Sequence, residues 1–151
     1  MIVTARRLAR ASPSKPRQAD LRRAVSTAYY ALFHALAIDA ANLLVGVGPN
    51  RPDKAWRHAY RALEHGVAKN ACAEVRNLKF PSGIVSCADT FVKLQKARHA
   101  ADYDPTHRVL RAEAMAFVSE ADRAIRMLRT APRKDRRAFA IQLLLKRRPE
   151  A

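Results

Sequence analysis

The chain has 151 residues, of which 49% are apolar, with only four glycines and two cysteines, and its formal net charge is +16. This composition excludes a disordered chain and a disulfide framework, and the length allows one domain with a sizeable core. Alanine and leucine dominate and β-branched runs are short, which favours an all-α fold.

The first third of the chain predicts a short basic helix followed by one long helix. Residues 4–11 predict one or two helical turns, and the prolines and serines of residues 12–16 form a linker. Apolar residues recur at helical spacing throughout residues 17–45, which predicts a single helix. The glycines and prolines of residues 46–52 then form a turn.

Two more helices are predicted in the middle of the chain. Asp53 is the expected N-cap of a helix over residues 54–72, which Gly66 loosens. After a break at residues 77–81, Ser82 or Ser86 caps the next helix. That helix runs to about Ala101, because a residue that precedes proline leaves the helical region in the Asp-Tyr-Asp-Pro sequence that follows.

Thr106 begins a fourth main helix, which Pro132 stops. Residues 133–148 have an apolar centre between basic ends, which is typical of a final helix packed on the domain or of an arm for a partner or an RNA. Together these elements predict an antiparallel bundle of four main helices with short flanking helices. We therefore expect a single helical domain over the whole chain, residues 1–151. Its core spans about residues 17–131, between a basic N-terminal segment (1–16) and a basic C-terminal helix or arm (132–151).

The long helix carries apolar residues on two faces. The main stripe consists of Leu21, Val25, Leu32, Leu36 and Leu43, with Tyr29 beside it. The second face carries Tyr30, Phe33, His34, Ala37, Ala41 and Leu44. So wide an apolar surface predicts burial on two sides, against the domain and against a second chain.

The expected compartment is the cytoplasm. Cys72 and Cys87 have no companions and no zinc-like spacing, which indicates a reducing environment. The N-terminus lacks the apolar core of a signal peptide. The longest apolar stretch, residues 35–47, is interrupted by Asp39 and Asn42 and is too short and too polar to cross a bilayer.

The positive charge lies mainly at the two ends of the chain. Residues 1–23 hold seven Lys or Arg against one acid, residues 24–122 hold twelve against ten, and residues 123–151 hold ten against two. Basic ends of this kind can bind a phosphate backbone or an acidic partner, although a solvated surface gives the same pattern.

Two common chemical motifs lack the required spacing. Gly46 and Gly48 form a single Gly-x-Gly without the further glycine or lysine of a phosphate-binding loop. His58 and His65 lie two helical turns apart, but no third ligand follows at clear spacing. We therefore expect neither a metal nor another cofactor.

One apolar stripe of the third main helix leads directly into polar residues. The shared face carries, in order, Ile84, Ala88, Phe91, Gln95, Arg98 and Asp102. Polar groups on a face built for burial must be paired, or they cost stability. Arg98 and Asp102, four residues apart, therefore form either a structural ion pair or part of a working site.

Two segments resemble a known family. Residues 23–36 read Arg-Ala-Val-Ser-Thr-Ala-Tyr-Tyr-Ala-Leu-Phe-His-Ala-Leu, and residues 97–105 read Ala-Arg-His-Ala-Ala-Asp-Tyr-Asp-Pro. Together they resemble the HEPN family (higher eukaryotes and prokaryotes nucleotide-binding), in particular its small bacterial branch with an Ala-Tyr-Tyr-x-x-Phe-His helix and a later Arg-x-x-Ala-Asp-Tyr. The order, the separation and the helical layout match as well, so the resemblance covers about residues 17–130.

The resemblance implies a helical bundle that forms a homodimer. Many members of that family are metal-independent RNases, often toxins paired with a nucleotidyltransferase antitoxin. Their motif places an arginine four to six residues before a histidine, with a polar residue directly after the arginine, and two copies meet across the dimer. The arginine holds the phosphate, and the histidine assists proton transfer during attack by the ribose 2′-hydroxyl.

The family's motif is matched only in part. Arg98 matches the arginine and His99 matches the polar residue after it, whereas the histidine position holds Tyr103, Asp104 or Pro105, depending on the spacing. Tyrosine is a poor general base at neutral pH. Either His99 replaces the missing base or the site does not cleave, and His99 shares a helix face with Tyr103 rather than with Arg98.

Residues of the long helix complete the set of candidates. Tyr30 and His34 can contribute if their face meets the site, and Gln95 and Asp102 can support it. The alternative is that Tyr30 belongs to the core and that His34 is a hydrogen-bonded packing residue.

Three functional hypotheses follow. The first is a homodimer that binds RNA or nucleotide phosphate through Arg98, within a toxin–antitoxin pair. The second is a metal-independent RNase that uses Arg98 and His99. The third is a non-catalytic module whose wide apolar face binds a protein partner.

Overall fold

A computed structural model describes residues 1–145 of the chain. Over that range it contains seven α-helices and no β-strand, which confirms the predicted all-α class. The helices are α1 (Ile2–Arg10), α2 (Gln18–Val45), α3 (Asp53–Arg61), α4 (His65–Glu74), α5 (Ser82–Tyr103), α6 (Arg111–Thr130) and α7 (Arg133–Leu144).

The long helix α2 lies at the centre and packs against α1, α3, α5, α6 and α7. Its residues Tyr29, Leu32 and Leu36 are at most 1% exposed, and they share one core cluster with Phe91 of α5 and Leu128 of α6. Burying an apolar side chain of this size stabilises a fold by about 1.5–3 kcal/mol. The main apolar stripe of α2 is therefore the inner surface on which the other helices assemble.

The bounds of α2 confirm the predicted long helix. It ends at Gly46, whose backbone φ of +109° lies in the region that favours glycine. Helix α5 also occupies its predicted segment, although Pro81 is its N-cap, so neither Ser82 nor Ser86 caps it. It extends to Tyr103, two residues beyond the predicted end.

The predicted helix over residues 54–72 is wrong in one respect, because the chain turns at residues 62–64 and forms two helices. Helix α3 ends at Arg61, and the turn carries Leu63 into the core at 5% exposure. Burial of that leucine explains the break, which no glycine or proline marks at those positions. The N-cap of α3 is Pro52 rather than Asp53.

The predicted start of the fourth main helix is also wrong, since α6 begins at Arg111 rather than at Thr106. The carboxylate of Asp104 accepts hydrogen bonds from the backbone N–H of Thr106 at 2.8 Å and from its hydroxyl at 2.7 Å. These bonds hold residues 104–107 in a turn that competes with a helical start.

The second apolar face of α2 is covered largely by the chain itself. Phe33, Ala37 and Ala41 are buried, and α3 packs along this helix. Leu44, at 40% exposure, is the large apolar residue of this face that stays open to solvent. Burial within one chain therefore accounts for most of the width of the apolar surface.

Helix α2 is also long and apolar enough, by length and composition alone, to cross a membrane. One 18-residue window has a mean hydropathy of 1.4, and 56% of that window is buried inside the protein. A buried core helix passes the same test, so the finding is weak evidence for a membrane span. The apolar stretch of residues 35–47, predicted to be too short to cross a bilayer, covers only the C-terminal part of this 28-residue helix.

The two terminal helices both pack on the domain. Alanines of α1 and the side chains of Phe139 and Leu143 in α7 are buried, and Arg136 of α7 forms an ion pair with Asp39 of α2. Of the predicted final segment, residues 133–148, the part that forms α7 is thus a packed helix. Residues 146–151 lie outside the described part of the chain.

Candidate functional site

The residues singled out from the sequence lie on two helices that pack against each other. They are Gln95, Arg98, His99, Asp102 and Tyr103 on α5, and Tyr30 and His34 on α2. The two motif segments therefore meet in space, and one of their direct contacts is the hydrogen bond from Arg98 to Tyr30.

The guanidinium of Arg98 is the centre of this cluster. Its Nε donates to Asp102 at 2.8 Å, and its Nη2 donates to the hydroxyls of Tyr30 at 2.9 Å and Tyr103 at 3.3 Å. The side chain is only 16% exposed. Among residues 1–145, Nη1 makes no hydrogen bond to a protein acceptor, so one nitrogen keeps its donors for a ligand.

Three aromatic rings surround the same guanidinium. Its central carbon lies 5.3 Å from the ring centre of Tyr30, 5.4 Å from that of Tyr103 and 5.7 Å from that of Tyr29. Burial disfavours the charged form of Arg98, but Tyr30, Tyr103 and Asp102 outweigh that effect and raise its pKa. The site therefore holds a permanent positive charge in an aromatic surround.

Asp102 is held from a second side by α2. The hydroxyl of Ser26 donates a hydrogen bond to the carboxylate oxygen that Arg98 does not use. Ser26 was not among the residues predicted from the sequence. It precedes Tyr30 by four residues, so helical spacing alone placed it on the face that meets Arg98.

An open cavity of about 650 Å³ lies beside Arg98. Its lining consists of Lys69, Val92, Gln95, Lys96, Arg98, His99, Ala100, Tyr103 and Asp104. Three of these side chains are permanent cations and one is an acid, so the cavity attracts anions. Lys69 comes from α4, a helix that sequence reasoning did not connect with the site.

His99 lies on the cavity wall but forms no hydrogen bond with Arg98 among the bonds of the described residues. Its ring centre lies 4.9 Å from that of Tyr103, at an interplanar angle of 54°. The predicted sharing of one helix face by His99 and Tyr103 is thus confirmed. Both side chains are exposed, so both can reach a ligand in the cavity.

A second histidine, which sequence reasoning considered only as a weak metal ligand, packs behind the arginine. Nδ1 of His65 is hydrogen-bonded to the hydroxyl of Tyr29 at 2.5 Å, and the imidazole stacks on Phe33 with ring centres 4.1 Å apart. Burial lowers the pKa of His65, and the charges of Arg98 and His34 lower it further. Burial likewise raises the pKa of the Tyr29 hydroxyl. Both groups are therefore neutral at pH 7.

Gln95 and His34 lie at the edges of the cluster. The amide nitrogen of Gln95 donates to the backbone carbonyl of His65 at 3.1 Å, while its side-chain oxygen is buried without a partner in the described chain. His34 stacks on Tyr30 with ring centres 6.2 Å apart, and its Nδ1 is hydrogen-bonded to Tyr60 at 2.5 Å. His34 is thus a hydrogen-bonded packing residue that does not line the cavity.

The described residues contain no group of three or more His, Cys, Asp or Glu side chains placed to hold a metal ion. His58 and His65 lie on different helices, α3 and α4. Cys72 and Cys87 are free thiols in the core, and burial raises the pKa of Cys87 to about 12. Neither cysteine is a reactive thiolate at neutral pH.

Comparison with known proteins finds no family model, no characterised protein and no solved structure that matches this chain.

Proposed function

We propose that this protein is a HEPN-like antiparallel helical bundle that binds the phosphate of RNA or of a nucleotide through Arg98. One observation carries the proposal: Arg98 is fixed by Asp102, Tyr30 and Tyr103, yet its Nη1 stays available beside a cavity that also holds Lys69 and Lys96. Arginine presents a planar fork of N–H donors that fits a phosphate, and preorganisation lowers the entropy lost on binding.

The contact between the two motif segments supports the family resemblance. Tyr30 belongs to the first segment and Arg98 to the second, and they are joined although 68 positions separate them in the sequence. In a HEPN-like homodimer this pair lies near the subunit boundary, and Tyr103, 62% exposed beside the cavity, offers an apolar surface for the second copy. A nucleotidyltransferase-type antitoxin is the partner that the resemblance implies.

The second candidate is a metal-independent RNase, which the position of His99 favours. Histidine is the side chain best suited to proton transfer near neutral pH, and His99 lines the same cavity as Arg98. In this candidate Arg98 neutralises the phosphate while His99 takes the proton of the ribose 2′-hydroxyl. The 2′-oxygen then bonds to the phosphorus as the bond to the 5′-oxygen breaks, and the leaving 5′-oxygen takes up a proton from water. Tyr103 packs against the imidazole and orients it.

The third candidate is a non-catalytic module for protein interaction. It is favoured by the ion pair between Arg98 and Asp102, which joins the end of α5 to α2 through Ser26 without any ligand. In this candidate the arginine is purely structural, and a protein partner covers exposed apolar residues such as Leu44.

One experiment separates the three candidates. The purified protein, Arg98→Ala and His99→Ala are incubated with total RNA in the presence of a chelator, and RNA binding, RNA length and the mass in solution are measured. Arg136→Ala is the matched control, because it also removes a half-buried ion pair, with Asp39, but lies outside the cavity.

Phosphate binding predicts that Arg98→Ala loses RNA affinity while Arg136→Ala keeps it. The RNase predicts cleavage that both Arg98→Ala and His99→Ala abolish. If the unaltered protein does not bind RNA, or if Arg98→Ala and Arg136→Ala bind it equally well, only the structural role of Arg98 remains.

A further inference from the structure

The outward face of α3 is a stripe of basic residues. Lys54, Arg57, His58 and Arg61 recur at the spacing that places side chains on one face of a helix. All four are exposed, and with Ala62 they line an open cavity of about 440 Å³. We call these four residues the α3 stripe.

Carboxylates do not neutralise this stripe. Within residues 1–145, none of Lys54, Arg57 and Arg61 forms an ion pair. The single acid of α3, Asp53, is paired with Arg51 at 3.1 Å. Like charges three and four residues apart destabilise a helix, and a nine-residue helix is marginal by itself. The stripe therefore costs local stability, and an anion bound to it would relieve the repulsion.

The inner face of α3 fixes the helix in spite of that repulsion. Nε1 of Trp56 donates to the side-chain oxygen of Asn42 at 2.8 Å, and the hydroxyl of Tyr60 is hydrogen-bonded to His34 at 2.5 Å. The rings of Trp56 and Tyr60 stack with centres 5.3 Å apart and planes only 9° apart. The stripe is thus presented by an anchored helix with a defined orientation.

The chemistry of the stripe selects the class of partner. The aromatic residues of α3 face α2 and are engaged there, so the outward face offers cations without an apolar anchor. Insertion into a membrane surface requires an apolar face, and protein interfaces usually centre on aromatic or aliphatic anchors. A row of lysine and arginine without either fits the phosphate backbone of a nucleic acid.

The stripe lies close to the Arg98 cluster. The ring of Tyr60 is 6.0 Å from that of His34, which is 6.2 Å from that of Tyr30, the tyrosine that accepts a hydrogen bond from Arg98. The α3 stripe and the Arg98 cavity share no lining residue, so they are two separate surfaces. A single phosphate group cannot contact both, whereas a strand of several nucleotides offers a phosphate to each.

We propose that the α3 stripe binds the phosphate backbone of an RNA strand, as a second contact surface outside the Arg98 cavity. The proposal rests on the proposed function only in that RNA is the shared partner. Where the proposed function allows either RNA or a single nucleotide as the ligand, the α3 stripe specifies an RNA strand.

The test measures binding of labelled polyuridine RNA to the full chain across a range of salt concentrations. The stripe variant is Lys54→Gln, Arg57→Gln and Arg61→Gln together. The matched control is Arg76→Gln, Lys79→Gln and Arg108→Gln, three exposed cations outside the α3 stripe, the Arg98 cavity and the two basic ends, whose loss changes the net charge equally. Removing like charges from an exposed face leaves the fold intact, and circular dichroism checks this.

The stripe variant should bind RNA at least about tenfold more weakly, and its salt slope should fall by about 2, since each phosphate contact on a single strand contributes roughly 0.7. The control variant should bind like the unaltered protein. If the stripe variant matches the control while Arg98→Ala weakens binding, the stripe proposal is overturned and the Arg98 proposal stands.

The reverse result, with weakened binding in the stripe variant alone, keeps the stripe and removes Arg98 as the phosphate contact. Absence of RNA binding in the unaltered protein overturns both proposals.

Polyglutamate serves as a polyanion without phosphates. If it binds as tightly as RNA, and with the same dependence on the stripe, the partner is an acidic protein and the RNA proposal is overturned.

Discussion

A double-mutant cycle on Arg98 and Asp102 tests whether the centre of the candidate site also holds the fold together. Arg98→Ala removes an ion pair of 2.8 Å, a hydrogen bond of 2.9 Å to Tyr30 and a longer one of 3.3 Å to Tyr103. The two charged side chains are 16% and 29% exposed, so solvent screens the pair only in part. The cycle compares Arg98→Ala, Asp102→Ala and the double variant with the unaltered protein.

The magnitude follows from these contacts. A partly exposed ion pair contributes about 0.2–1 kcal/mol and one further hydrogen bond about 1 kcal/mol, while alanine favours the helix by a few tenths. Arg98→Ala should therefore lower the free energy of unfolding by about 1–2 kcal/mol. For a chain of this length that corresponds to a fall in melting temperature of roughly 2–8 °C.

The assay is urea unfolding followed by the circular-dichroism signal of the helices. The coupling energy between Arg98 and Asp102 should be about 0.5–1 kcal/mol. Asp122 and Arg126 on α6 form a matched pair at 2.9 Å, also four residues apart, but the arginine is 66% exposed, so its coupling should be smaller. Equal coupling in both pairs, or none between Arg98 and Asp102, would refute the reasoning.

Three further predictions concern other parts of the molecule. His65→Gln should flatten the pH dependence of stability. The pKa of His65 is lowered in the folded state, so the unfolded chain binds the proton more readily and the stability of the unaltered protein falls as pH drops through about 6.5. Urea titrations of both proteins across that pH range check this, and parallel dependences on pH would contradict it. Phe139→Ala should destabilise the domain by about 3–5 kcal/mol, because the ring is 1% exposed in the core, and thermal melting measures the loss. Trp56→Phe should cost about 1 kcal/mol by removing the hydrogen bond to Asn42, and should leave the effect of Asn42→Ala smaller than in the unaltered protein.

The sequence was sufficient to predict the helices whose signals are local. Apolar spacing identified α2, and Gly46 and Pro132 marked helix ends at the correct places. The turn between α3 and α4 was missed because its cause, burial of Leu63, is a tertiary contact without a local signal. The start of α6 was misplaced because Asp104 bonds to the following backbone and so holds a turn where a helix was expected.

In the candidate site, too, contacts within one helix were predicted and contacts between helices were largely missed. Arg98 and Asp102 were predicted from spacing within one helix, and the ion pair between them is present. The contact with Tyr30 was expected only on condition that the two helix faces met. Lys69 and His65 were missed as site residues, since they belong to α4, and their place near Arg98 depends on how α4 packs against α5.

The central position of α2 has a practical consequence for finding a ligand. This helix supplies Tyr30 to the Arg98 cluster and is also the helix on which the core assembles. A ligand that binds only the folded state adds to the stability of the whole domain, by about 2.7 kcal/mol at a concentration one hundred times its dissociation constant. Ribonucleotides, oligonucleotides and inorganic phosphate can therefore be ranked by the rise in melting temperature that each produces, before any catalytic activity is known.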